Sequence, residues 1–172
     1  MRAGPVVDIR YGMDLANTEV LLWILFLVRA LRVWLLIWEP PCTSASVARR
    51  PALRTIGQAD GLSPSENVTA TGNLHLYQCM ALVYLHTLMG GASVGEQPAA
   101  GYFRHLPVWA ALVHMGAKEV VFDWCRYGRA WKKPTRLLAA NFPGIEDMGL
   151  RCVCPPTMQH EILKGRATQK AA

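Results

Sequence analysis

The chain has 172 residues, 52% of them hydrophobic and 17% charged, enough for one domain with a sizeable core and too apolar for generic disorder. Its net charge of +6 favours a polyanionic partner, nucleic acid ahead of a membrane surface. Five cysteines (Cys42, Cys79, Cys125, Cys152 and Cys154) are an odd number without framework spacing, which argues against a disulfide scaffold and for free thiols in a reducing intracellular compartment, nucleus or cytoplasm.

Residues 5–9 read as a short strand ending at Asp8 and Ile9. Gly12 and Asp14 make a turn, and Asn17 caps a helix over 18–30 that is apolar nearly all round, as suits burial between a sheet and another layer. Residues 33–38 read as a strand buried on both faces, so strand, helix and strand predict a parallel crossover. From 43 to 73 the composition shifts to Ser, Thr, Gly, Pro and Arg, and a mobile loop is expected. Asn73 caps a helix through 88, closed by Gly90-Gly91. Residues 92–94 are a minimal strand, with Glu96 just past its end. Pro107 opens a helix stopped by Gly116. Strands are expected over 119–123 and 136–140, and 150–153 looks strand-like before a frayed tail. The alternation predicts a three-layer α/β domain over 1–142, with 143–172 as a C-terminal extension.

Residues 20–28 are wholly apolar, but Arg29 and Arg32 break the apolar character soon after. A spanning helix needs roughly 20 apolar residues. A membrane protein anchored by 20–38 is therefore only the alternative reading. Acidic residues precede the run where a signal peptide carries basic ones.

Four clusters offer chemistry. Pro40-Pro41 ends the 33–38 run, because proline lacks the N–H and fixes φ, and delivers Cys42 beyond the strand end. A thiol there, with Arg49, Arg50 and Arg54 in the loop beyond it to lower its pKa, suits a nucleophile. A small buried hydrophobe is the ordinary fate of such a cysteine. Glu96 suits proton exchange with a ring nitrogen; a solvated loop glutamate is the plain reading. Between Trp124 and Arg136, the cations Arg126, Arg129, Lys132, Lys133 and Arg136 alternate with Trp124, Tyr127 and Trp131. That mixture suits phosphates and stacked bases, unless the aromatics return to the core. Finally, Cys152-Val153-Cys154 precedes His160. The single-residue gap is poor for zinc, a fourth ligand would have to come from Cys125 or His105, and no metal is assigned.

Taken in order, these segments resemble the DNA (cytosine-5) methyltransferases. Pro40-Pro41-Cys42-Thr43-Ser44-Ala45-Ser46 is similar to the family's Pro-Cys nucleophile motif, with Ala45 in place of its Phe. Val94-Gly95-Glu96-Gln97-Pro98 is similar to the Glu-Asn-Val motif and keeps the Glu. Tyr127-Gly128-Arg129-Ala130-Trp131-Lys132-Lys133 is similar to the Tyr-Gly-Val-Pro-Gln-x-Arg stretch, with Trp131 for Gln and Lys133 for the first Arg. The same order is similar to algal and mobile-element proteins that look like a divergent branch of this superfamily.

The resemblance implies a Rossmann-like methyltransferase fold with a mostly parallel sheet, and S-adenosylmethionine as cofactor, with Asp8 and Pro40 on its side of the site. It implies that Cys42 adds to C6 of a flipped cytosine, Glu96 contacts N3 and the exocyclic amine, and Lys133 works with them. DNA, or RNA, would be the partner, held by Arg49, Arg50, Arg54, Arg126, Arg129, Trp131, Lys132 and Arg136. The family's Phe-x-Gly-x-Gly cofactor loop has no counterpart before Asp8. An incomplete N-terminus is expected, completed by a missing segment or a partner chain. The runner-up is a nucleic-acid-binding module without catalysis.

Overall fold

The computed structural model describes residues 7–8, 11–63 and 66–161. Asn17 starts α1 (Thr18–Arg29): its backbone is extended and its side-chain oxygen accepts from the Glu19 amide at 2.8 Å. The helix ends in a turn at Leu31, whose φ is 55°. Only one stripe of α1 is covered, where Ile24 and Val28 meet Leu82. Leu22, Trp23 and Phe26 face outward, so the expected all-round burial does not occur. Twelve residues span about 18 Å, against roughly 30 Å for a bilayer core. Among the described residues no helix is long and apolar enough to cross a membrane. The alternative anchor over 20–38 is divided between α1, the Leu31 turn and a strand.

Four strands form the sheet: β1 (Leu35–Trp38), β2 (Ala92–Pro98), β3 (Lys118–Asp123) and β4 (Pro134–Ala140), in the order β1-β2-β4-β3. β1 pairs parallel with β2 across a long connection that contains α2 (Asn67–Leu88). β4 pairs antiparallel with both β2 and β3. The chain is therefore mixed α/β, and its sheet is mostly antiparallel by pairing, not mostly parallel. The reason is the short connection from β3 to β4, which turns the chain back as a hairpin does; a parallel pair needs a full crossover. β1, β2 and β3 point the same way, with β4 reversed between the last two. The carboxyl ends of those three strands and the amino end of β4 consequently share one edge.

The pleat of β4 sends alternate residues to opposite faces. Leu138 and Ala140 join Trp38, Leu76, Met80 and Trp109 beneath α2 and α3 (Pro107–His114). Leu137 and Ala139 join Val120, Phe122 and Ile145 on the other face. That second face is covered by short 3₁₀ turns at Trp124–Tyr127 and Ile145–Met148 rather than by helices. Ile145, in the expected C-terminal extension, is buried in this core.

Several element bounds differ from expectation for identifiable reasons. α2 begins at Asn67, capped by Glu66, whose carboxylate accepts from the Thr69 amide and hydroxyl. Asn73, the expected cap, instead donates its side-chain amide to Asp60 O. β1 is an outer strand of the described sheet, so Ile37 stays 66% exposed where burial on both faces was expected. β2 runs on through Glu96-Gln97-Pro98, beyond its last pairing with β1 at Gly95, because β4 continues to pair with it, and Glu96 therefore stands inside the strand. Residues 150–153 form no strand, although Leu150 O accepts from the Asp123 amide. Val7 and Asp8 lie in no strand; the rest of 5–9, and the tail from 162, fall outside the described residues.

Candidate active site

Strand direction sets the site. β1 runs out at Trp38, and Glu39-Pro40-Pro41 carries the chain over the shared edge to Cys42. Two contacts seat this exit on β2. Trp38 pairs in register with Gly95, where any side chain would collide with the indole, a Cβ falling 2.0 Å from its ring atoms. Gln97 Nε2 donates to Pro40 O at 3.2 Å from the same face. Glu96 points to the opposite face, as its neighbour in register, Leu137, does. Lys133, immediately before β4, brings Nζ to 3.1 Å from Glu96 Oε1. Both charges act on the half-buried Cys42 sulfur.

Burial pushes the Cys42 thiol up from its usual range, Glu96 pushes it further, and Lys133 opposes both. The expected lowering by the loop arginines is not what surrounds the sulfur. Arg54 is 0% exposed: it donates to Ala59 O, Ser44 Oγ and Thr69 O and lies over the Phe103 ring at 5.1 Å. A guanidinium used in this way pins the 43–66 loop to α2 and cannot reach a phosphate without leaving that socket. Arg50 is exposed and bonds Val47 O and Arg49 O, while Arg49 is half-buried beside it.

The stretch after β3 divides between core and surface. Trp124 donates to Thr135 Oγ1 and packs edge-on against Phe122, as Tyr127 does while donating to Met148 O. Trp124 thus packs against the core, while Tyr127 rests on Phe122 and stays exposed. Arg129 and Lys132 are exposed, and Arg129 stands over the half-buried Trp131 ring at 5.5 Å. Arg126 donates to Arg151 O. Arg136 is turned away, tied to Glu119 at 3.2 Å and to Ala99 O; Glu119 also accepts from Trp109 Nε1. Of the residues expected to hold nucleic acid, Arg129, Trp131 and Lys132 share an exposed surface near Lys133, whereas Arg54 and Arg136 serve the fold.

Of the residues assigned to the cofactor, Pro40 is buried with its carbonyl taken by Gln97. Asp8 lies before α1, its backbone carbonyl accepting from the Tyr11 and Met13 amides. Two surface concavities lie elsewhere, one lined by Arg104, Trp109 and His114, the other by Leu22, Phe26 and Leu85.

One grouping weighed in the sequence, and assigned no metal there because of its single-residue gap, is brought together by the fold. The donor atoms of Cys125, Cys152, Cys154 and His160 come together beyond β3, on the same edge. His105, weighed as a ligand from sequence, sits instead beside Arg104. The available signal was the exposed Val153 between two inward cysteines, which depends on knowing that this segment is extended.

Comparison with protein-family models, with curated proteins and with solved structures gives no match to the chain.

Proposed function

We propose that the chain is a DNA cytosine-5 methyltransferase-like domain in which Cys42 is the nucleophile. The observation that carries this reading is the meeting of Cys42, Glu96 and Lys133 at one sheet edge, from three separate segments. Open α/β sheets bind ligands beyond the carboxyl ends of their strands, the edge at which Cys42 follows β1, Glu96 nears the end of β2 and Lys133 precedes β4. A Rossmann-like fold is part of the same proposal, as are DNA or RNA as partner and the reducing compartment.

In this reading the Cys42 sulfur bonds to C6 of a cytosine drawn out of its stack. The electron pair of the C5–C6 bond moves into the ring toward N3 and C5. Glu96, held in place by Lys133, accepts a hydrogen bond from the exocyclic amine and delivers a proton taken from solvent to N3 as the sulfur adds. Lys133 supplies positive charge that favours the thiolate, which gives its proton to solvent before it adds. S-adenosylmethionine would supply the methyl group.

A labelled methyl-transfer assay on cytosine-containing DNA and RNA tests the reading. The wild-type chain should yield 5-methylcytosine, and Cys42→Ser should lose the activity by at least about a hundredfold, because a hydroxyl is a far poorer nucleophile. Methylation indifferent to that substitution removes Cys42 from the chemistry. Binding of nucleic acid with no methyl transfer identifies the second reading, a non-catalytic binding module, which the exposed Arg129 and Lys132 beside the half-buried Trp131 favour.

A further inference from the structure

We propose that Cys125, Cys152, Cys154 and His160 form a structural zinc site that fastens the β3–β4 connection to the segment 151–161. Each residue offers one donor atom, and the four atoms lie within 4.8 Å of one another. Cys152 Sγ stands 3.6 Å from His160 Nε2. A tetrahedral ion with Zn–S near 2.3 Å and Zn–N near 2.0–2.1 Å requires S···N of about 3.6 Å and S···S of about 3.8 Å. The donors are thus already at, or close to, the separations that the ion imposes.

The single-residue gap between Cys152 and Cys154 is accommodated by extended backbone. Alternate side chains point the same way along such a segment. Both cysteines turn inward while Val153 is 75% exposed. Both arms are held by contacts that do not use the donor atoms. Asp123 Oδ2 accepts from the Cys152 amide at 2.8 Å and from Arg151 Nε at 2.9 Å. Glu161 donates its amide to Ala130 O and forms an isolated bridge with Trp131, which brings His160 up to the cysteines. Outer contacts of this kind orient metal ligands.

Donor chemistry selects the ion. Three thiolates and one imidazole in tetrahedral array suit zinc over the hard cations, and four protein ligands leave no open position, so the site is structural. Three thiolates around Zn²⁺ leave one net negative charge, and the charge of Lys132 acts on Cys152. The ion would close the base of the stretch that runs from Cys125 to Lys133. It would thereby brace the connection that presents Lys133 to Glu96.

The full chain, purified from zinc-supplemented culture and dialysed, should retain one zinc per chain by elemental analysis. Replacement by Co²⁺ should give the intense visible bands of tetrahedral thiolate coordination. Cys125→Ser and Cys154→Ser should weaken zinc at least about a hundredfold in competition with a chelating indicator, and Asp123→Asn by about 10–100-fold. His160→Ala should lose the metal and His160→Cys should keep it; this pair decides the matter if the serine variants do not fold. Cys42→Ser should leave metal content unchanged. The proposal is overturned by a chain that retains no zinc, or by retention indifferent to Cys125→Ser and His160→Ala. A disulfide between two of these cysteines in protein purified under reducing conditions overturns it equally.

Discussion

Lys133 reaches Glu96 across 37 positions of sequence, Nζ to Oε1 at 3.1 Å, because β4 runs backward between β2 and β3. The pair does little for stability, since both side chains keep partial contact with water. Its effect falls on Cys42, whose thiol burial raises, Glu96 raises further and Lys133 lowers. Alkylation of Cys42 by iodoacetamide, with peptide mass spectrometry against pH, reads this balance. Only the thiolate reacts, so the rate rises through the thiol pKa. Glu96→Gln removes a raising charge and should move the midpoint down; Lys133→Met removes the lowering one and should move it up. Midpoints that stay put in both variants would show that the two charges do not act on the sulfur.

Arg54 should behave as a core residue. Arg54→Ala leaves buried acceptors at Ala59 and Thr69 without their donor and empties the space over Phe103. Hydrogen bonds from a charged group are worth about 1.5–3 kcal/mol each, so a loss of about 3 kcal/mol or more is expected in denaturant unfolding. Arg54→Lys should not restore it, because an ammonium lacks the planar fork that serves several acceptors at once. A near-wild-type midpoint for Arg54→Ala, with weakened nucleic-acid binding, would return Arg54 to the binding surface.

The features legible in the sequence rest on local chemistry. Asn17 caps α1, Pro107 and Gly116 bracket α3, and Pro40-Pro41 ends β1, each through a backbone preference carried by the residue itself. The features that escaped depend on partners distant in the chain. Glu66 is a poor cap by type and serves because Thr69 offers both an amide and a hydroxyl. Glu, Gln and Pro disfavour strands, yet 96–98 extend β2 because β4 lies alongside. Arg54 looks like a loop cation until Ser44, Ala59 and Thr69 close around it. For the site, motif order placed Cys42 and Glu96 in separate segments, but Lys133 joins them only through the direction of β4. The choice of Cys125 over His105 beside Cys152, Cys154 and His160 stayed open for the same reason, since Cys125 comes just after β3 and the other three arrive from beyond β4.

Gly95 should tolerate no side chain. A Cβ there falls 2.0 Å from the Trp38 ring, which is itself buried edge-on against Trp109 at 6.0 Å. Gly95→Ala must displace the indole or the strand, at a cost of about 1–3 kcal/mol or more. Since Trp38 leads directly into Glu39-Pro40-Pro41, the displacement should also disturb Cys42. Shortening the indole makes room, so Trp38→Leu combined with Gly95→Ala should be less destabilised than the two single changes predict together. Strict additivity in urea midpoints would mean that the two residues do not meet.

Acid sensitivity should concentrate partly at Asp14. Its carboxylate takes a 3.0 Å contact from His75 Nε2 and a 2.8 Å bond from the Ala16 amide, joining the turn before α1 to α2. His75 Nδ1 also faces Thr71 O at 2.9 Å, which fixes the ring on α2. The hydrogen bond from His75, then that from Ala16, hold the Asp14 carboxyl below its usual value. A carboxyl lowered by folding contributes stability that is complete above its unfolded value of about 3.9 and is lost as pH falls through the folded value. Urea unfolding of wild type and Asp14→Asn should therefore differ by a constant amount above about pH 5, with the difference closing as pH falls through and below that value. Half-exposure of the carboxylate keeps the difference small and salt-sensitive. Parallel acid limbs for the two proteins would remove the contact from the fold's energetics.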